Sequence, residues 1–145
     1  MSIVDDLLAH PGVYIGIDQD THVRGQAAAK IVVTPLPGGS GVALDYETYN
    51  PANPDRIRAH VEHSIVGRTH AGGAILISGH GHADSVAVLR EREPGVFVLG
   101  SEPAAFPMAI RIAMPEPGKL IHARSYGRPG EEAVERDLAE VTLQA

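Results

Sequence analysis

The chain of 145 residues contains no cysteine. Disulfides, thiolate metal sites and cysteine nucleophiles are therefore excluded. Aromatic residues are scarce, with two Phe, four Tyr and no Trp. The interior must be built from Val, Ile, Leu, Ala and Met. Basic residues number 12 against 18 acids, for a net charge of −6, and the Arg residues are scattered. With no basic stripe and few aromatics to stack on bases, no nucleic-acid partner is expected. No segment approaches the length of a membrane span, and "MSIVDDLLAH" lacks the basic start and apolar run of a signal peptide. There is no Gly-x-Ser-x-Gly elbow, phosphate-binding loop or dinucleotide fingerprint. The expectation is one cytoplasmic domain over residues 1–145, large enough to bury its own core.

Glycine and proline are plentiful, at 16 and 11, and fall as regular punctuation. Short runs rich in β-branched residues lie between them, which is the pattern of an all-β sandwich or barrel. "VDDLLA" at 4–9 reads as one short helix stopped by Pro11. Strands are expected near 12–18, 22–35, 40–49, 57–69, 73–79, 84–92, 95–101, 106–114, 119–127 and 133–143. "PLPGGSG", "REREPGVF", "PEPGKL" and "GRPGEE" supply the reversals. "GEEAVERDLAEVTL" is ambiguous, since its charged first half favours a helix. Its place after a turn and its "VTL" end favour a strand.

Alternation assigns faces. In "FPMAIRIAM", Phe106, Met108, Ile110, Ile112 and Met114 share one face. In "VALDYETY", Asp45 and Glu47 lie opposite Val42, Leu44, Tyr46 and Thr48. One polar and one apolar face per strand fits antiparallel pairing. Closing about ten such strands into a barrel removes the exposed edges.

Three groups could carry chemistry. In "ISGHGHADS", His80, His82 and Asp84 alternate, which suggests zinc. A structural or catalytic zinc needs three or four placed ligands, and the flanking glycines read as a hairpin tip, so no metal site is expected. In "RAHVEHSIVGR", His60, Glu62 and Ser64 share one strand face. There they could hold the polar end of a ligand or pair a base with its orienting carboxylate. In "LIHARSYG", His122, Arg124 and Tyr126 alternate in the same way, and an Arg fork suits a carboxylate. Tyr46 is a further pocket candidate. Alternation does not say which face of any strand is inside.

The His-x-Glu of "RAHVEHSIVGR" and the alternating Gly12, Tyr14 and Gly16 of "LAHPGVYIGID" resemble the nitrobindin-like branch of the fatty-acid-binding-protein-like, or calycin (lipocalin-type), barrels. The resemblance implies a short helix followed by a single ten-stranded up-and-down barrel with an internal pocket. His60 would line that pocket. Tyr14 stands where the family has Trp, and the last-strand haem ligand falls at Asp137, with no His after His122. The leading expectation is a binder of a small apolar or amphipathic molecule in the lumen, with polar contacts from Tyr46, His60, Glu62, His122, Arg124 and Tyr126. Three alternatives stand beside it. They are a nitrobindin-like haem protein, an enzyme using the His60–Glu62 pair, and a homo-oligomeric interaction module. The last would be a homodimer joined through an outer barrel face such as the apolar stripe at 106–114. No cofactor is assigned from sequence.

Overall fold

The structure is a computed structural model that describes residues 2–20, 25–49, 60–80, 86–99 and 107–145. A single helix, α1 (Ile3–Ala9), precedes ten strands. These are β1 (Gly12–Asp20), β2 (Gly25–Pro35), β3 (Gly41–Tyr49), β4 (His60–Arg68) and β5 (Ala74–His80), followed by β6 (Val86–Glu93), β7 (Val96–Leu99), β8 (Met108–Glu116), β9 (Lys119–Tyr126) and β10 (Val134–Leu143). Each strand pairs antiparallel with its chain neighbours, and β1 pairs with β10 to close the barrel. Every edge is thereby used up. The ambiguous segment at 130–143 forms strand β10 from Val134 on, because its two neighbours are β9 and β1 and its inward face carries Asp137, Ala139 and Val141. Ladder bonds and burial override its local helical preference.

In a meander the odd strands run one way and the even strands return. The barrel therefore has two distinct ends. At one end lie the starts of the odd strands and the tight turns at 36–40, 69–73, 94–95 and 117–118. The turn at Pro94-Gly95 requires its glycine, since Gly95 has φ 75° and a Cβ there would stand 2.3 Å from the Ile112 carbonyl oxygen. Closure has its own requirement at Gly16, where a Cβ would lie 1.9 Å from the Glu140 carbonyl oxygen of β10.

Helix α1 closes this end. Ser2 caps it, its Oγ accepting the Asp5 N–H at 3.2 Å while Asp5 Oδ2 accepts from the Ser2 N–H, a reciprocal capping box. Arg68, the last residue of β4, donates to Asp5 Oδ1 at 2.6 Å and ties the helix to the barrel. Ile3, Val4 and Leu7 face inward and are buried. The interior beneath them is apolar. Tyr14, Ile31, Val42, Leu76 and Phe97 are among its side chains, all 0% exposed. A void able to admit water would leave part of these walls exposed, so the helix half of the barrel is a filled core.

The cap makes the helix acid-sensitive. The hydrogen bond and charge of Arg68, with help from Ser2, hold the Asp5 carboxyl at about 2, below the ordinary 3.8. A depressed carboxyl contributes stability that is present above the unfolded value and lost as pH falls. Wild type should therefore lose more stability than Asp5→Asn on acidification from about pH 4 to about pH 2. Urea melts of both proteins across that window measure the difference, and parallel losses would refute it.

Faces settle as alternation grouped them. Val42, Leu44, Tyr46 and Thr48 of β3 are buried, and Asp45 is exposed. On β8, Met108, Ile110 and Ile112 point inward, while Phe106 lies outside the described residues. The described part of that stripe, 108–114, is thus core rather than an outer contact face. Arg111 points outward, with Nη2 3.3 Å from Glu135. Among the described residues the exposed large apolar side chains are instead Val13, Ile15 and Ile17 on β1, Ile77, Val86 and Val88 on β5 and β6, and Val134 on β10. No described helix is long and apolar enough to cross a membrane.

Candidate functional site

The opposite end of the lumen is polar. Asp18 lies near the end of β1, Tyr46 and Thr48 near the end of β3, and Ser78 near the end of β5. His122 and Arg124 lie near the end of β9. On the returning strands, His60, Glu62 and Ser64 open β4, and Asp137 lies near the start of β10. All of these fall at the same level because the odd strands end where the even strands begin. Asp18, Thr48, Glu62, Ser64, Ser78, His122 and Asp137 are buried.

Glu62 is the hub. Its Oε1 accepts from the hydroxyls of Ser64 and Ser78, each at 3.0 Å, and His122 Nε2 stands 3.6 Å from the same oxygen. Its Oε2 lies 3.1 Å from His60 Nε2 and 4.0 Å from Arg124 Nη1. These donors match an ionised carboxylate. Tyr46 lies between the two imidazoles. Its ring stacks on His122, centroids 4.8 Å apart, and tilts against His60 at 5.4 Å.

Arg124 is held on several sides. Its Nε donates to Asp137 Oδ2 at 2.9 Å and its Nη2 donates to the same oxygen at 2.5 Å. Its Nη1 faces His60 Nε2 at 3.2 Å. The guanidinium carbon lies 5.7 Å from the centre of the Tyr126 ring, and Arg136 approaches the same ring at 5.4 Å. Burial pulls the guanidinium pKa down, but the charge and hydrogen bonds of Asp137, then the charge of Glu62, more than offset this and leave it raised. Arg124 stays charged.

His60 Nε2 lies within reach of an acceptor, Glu62, and of a donor, Arg124. With its hydrogen on Nε2 the ring donates to Glu62, and with it on Nδ1 the bare Nε2 accepts from Arg124 Nη1. Either way the ring is held between these two side chains. The result is an imidazole oriented by a buried carboxylate, the arrangement general acid–base chemistry needs.

The Tyr46 phenol is held neutral. Burial is the main cause of its raised pKa, with the charge of Asp18 and a hydrogen bond to it adding to the effect. Tyr14, whose hydroxyl donates to the His10 carbonyl at 2.6 Å, is also raised by burial. A phenol raised in the fold contributes stability below its unfolded pKa of 10.0, and this is lost as pH rises through the folded value. Tyr46→Phe should therefore lose less stability than wild type above pH 10, and in wild type tyrosinate absorbance should appear in part only with unfolding. Complete ionisation with circular dichroism unchanged would overturn this.

All six expected contacts, Tyr46, His60, Glu62, His122, Arg124 and Tyr126, lie on the polar half of one barrel. Of these, His60, Glu62, Arg124, Tyr46 and His122 touch as one cluster, and Tyr126 joins through Arg124. His63, on the opposite face of β4, points outward and pairs with Asp45 at 2.5 Å. Sequence reasoning missed Asp18 and Ser78. Asp18 could have been found, since it continues the inward series of Gly12, Tyr14 and Gly16 as an acid on an otherwise apolar face. The residues at 81–85 lie outside the described residues, so the hairpin-tip reading of His80, His82 and Asp84 is not addressed. Among the described residues no group of three His, Asp or Glu is arranged to hold a metal ion. No protein-family model matches the chain, and no curated protein is similar to it in sequence.

Proposed function

We propose that this barrel binds a small molecule at the polar end of its lumen. One observation carries the reading. Charged and polar side chains from six strands are buried together at one end, while the other end is packed with hydrocarbon. Burying ion pairs seldom stabilises a fold, because desolvation offsets the attraction and apolar residues of similar volume do as well or better. A set of buried Glu, Asp and His side chains, joined to a half-buried Arg and a second His, is therefore better explained by a ligand than by stability. The side chains of His60 and Arg124, 15% and 18% exposed, are the points where the cluster meets solvent.

The filled helix half sets the size. A long alkyl tail has no room beside Val42 and Leu76, so the ligand is compact and is received at His60 and Arg124, the partly exposed side chains of the cluster. A nitrobindin-type haem fits poorly. The position aligned with its axial ligand is Asp137, and that carboxylate is engaged by Arg124. The oriented His60–Glu62 pair supports a second reading, proton-transfer catalysis on the bound molecule. A turnover lost in His60→Gln with binding intact would distinguish it.

The test is native mass spectrometry of the full chain as purified, with an absorption spectrum of the same sample. A compact organic mass that is retained by wild type and lost in Glu62→Gln supports binding at this end. A ligand retained equally by both proteins would place it elsewhere. A Soret band would bring haem forward and overturn the compact-ligand reading.

A further inference from the structure

Arg124 looks at first like the anion-binding residue of the lumen, and an Arg fork on a late strand invites a ligand carboxylate. Its contacts argue otherwise. A guanidinium binds a carboxylate strongly through two parallel N–H groups. The Nε and Nη2 edge of Arg124 is already closed on Asp137, at 2.9 and 2.5 Å. The end-on edge, Nη1 with the second N–H of Nη2, is left, and there Nη1 points at His60 with Glu62 Oε2 4.0 Å away. A ligand carboxylate reaching for Nη1 would come against the carboxylate of Glu62. The ring of Tyr126 lies against the guanidinium plane.

We propose that Asp137 is the specificity determinant of this site. By holding Arg124 it makes the lumen refuse carboxylates and take small amines and alcohols. The proposal rests on the binding reading above. Its core is the closed Arg124–Asp137 edge. The wider charge distribution agrees, since the buried carboxylates Asp18, Glu62 and Asp137 face one guanidinium and the imidazoles of His60 and His122. Asp137 acts through Arg124 and is a positioning residue, not a reacting one.

Three molecules of equal size and different head group test it: benzylamine, benzyl alcohol and benzoate, titrated calorimetrically into the full chain at neutral pH. In wild type, benzylamine should bind tightest. Benzoate should bind at least about tenfold more weakly than the alcohol, because juxtaposed like charges are strongly disfavoured. In Asp137→Asn the freed edge of Arg124 should accept benzoate, raising its affinity relative to the alcohol by about tenfold or more. Glu62→Gln, which removes the opposing charge and leaves Asp137 in place, should raise it by a smaller factor. It serves if Asp137→Asn does not fold. Benzoate binding wild type as tightly as the alcohol overturns the specificity and leaves the binding reading standing. So does an unchanged benzoate-to-alcohol ratio in the folded variants, which would make Asp137 merely structural. Failure of all three molecules to bind wild type or either variant at millimolar concentration removes the binding reading, and the specificity with it.

Discussion

Arg124→Leu should destabilise the barrel by about 3–5 kcal/mol, while Arg124→Leu combined with Asp137→Leu should recover most of that loss. The single variant strips Asp137 of both of its Arg124 hydrogen bonds and Glu62 of its nearest guanidinium. It leaves buried carboxylates without the cation that compensates them. The double variant removes both halves of the pair and substitutes hydrocarbon of similar bulk. Asp137→Leu alone should cost less than Arg124→Leu, because Arg124 keeps Glu62 at 4.0 Å and the face of Tyr126. Guanidinium melts of the four proteins form a double-mutant cycle, and its coupling energy is the quantity to read. A double variant no more stable than Arg124→Leu would mean that the pair supports the fold in some way other than charge compensation. A double variant as stable as wild type would strengthen the case that the pair is kept for a ligand.

Phe97→Ala should cost about 3–5 kcal/mol, comparable to the first despite its different origin. β7 has only four residues, and Phe97 is its fully buried side chain. It pairs across the sheet with Ile110, also 0% exposed, which in turn pairs with Arg124 of β9, so its ring packs where the hydrocarbon core meets the polar end. With two Phe and no Trp in the chain, one ring is a large share of the aromatic packing. Truncation leaves a void that rigid neighbouring strands cannot close, and that void adds its own cost to the lost burial. Val86→Ala, on the neighbouring strand but 62% exposed, is the control and should change stability by no more than about 0.5 kcal/mol. Urea melts compare the two. A loss below about 1 kcal/mol for Phe97→Ala would show that the helix half is loosely packed, and would reopen it to a longer ligand.

The two expected results together divide the barrel by function. The helix half carries stability through hydrocarbon packing, closed by Leu7 and its neighbours on α1. The polar half carries a cost in stability that a ligand would explain. His60 and Arg124 stand where the second half meets solvent, so chemistry and access coincide.

Much of this was legible in the residues. Ten strands, their turns and the pairing of residues by face follow from a period of two and from Gly and Pro at the reversals. The sets His60–Glu62–Ser64 and His122–Arg124–Tyr126 could be named because alternate residues must share a face. Three things could not be read. Alternation has two equal phases, so it could not put either set inside, and closure decided that by pairing Tyr14 with Leu143 across β1 and β10. Local propensity could not decide between helix and strand at 134–143, because one of the two ladders that settle it is made with β1, at the other end of the chain. Nor could any local pattern bring Arg124 within 3.2 Å of His60, 64 residues earlier, or close its fork on Asp137. Sequence fixes which side chains travel together along a strand. Only the curvature of the closed sheet brings different strands' inward faces onto a common point, and that convergence is what makes a site.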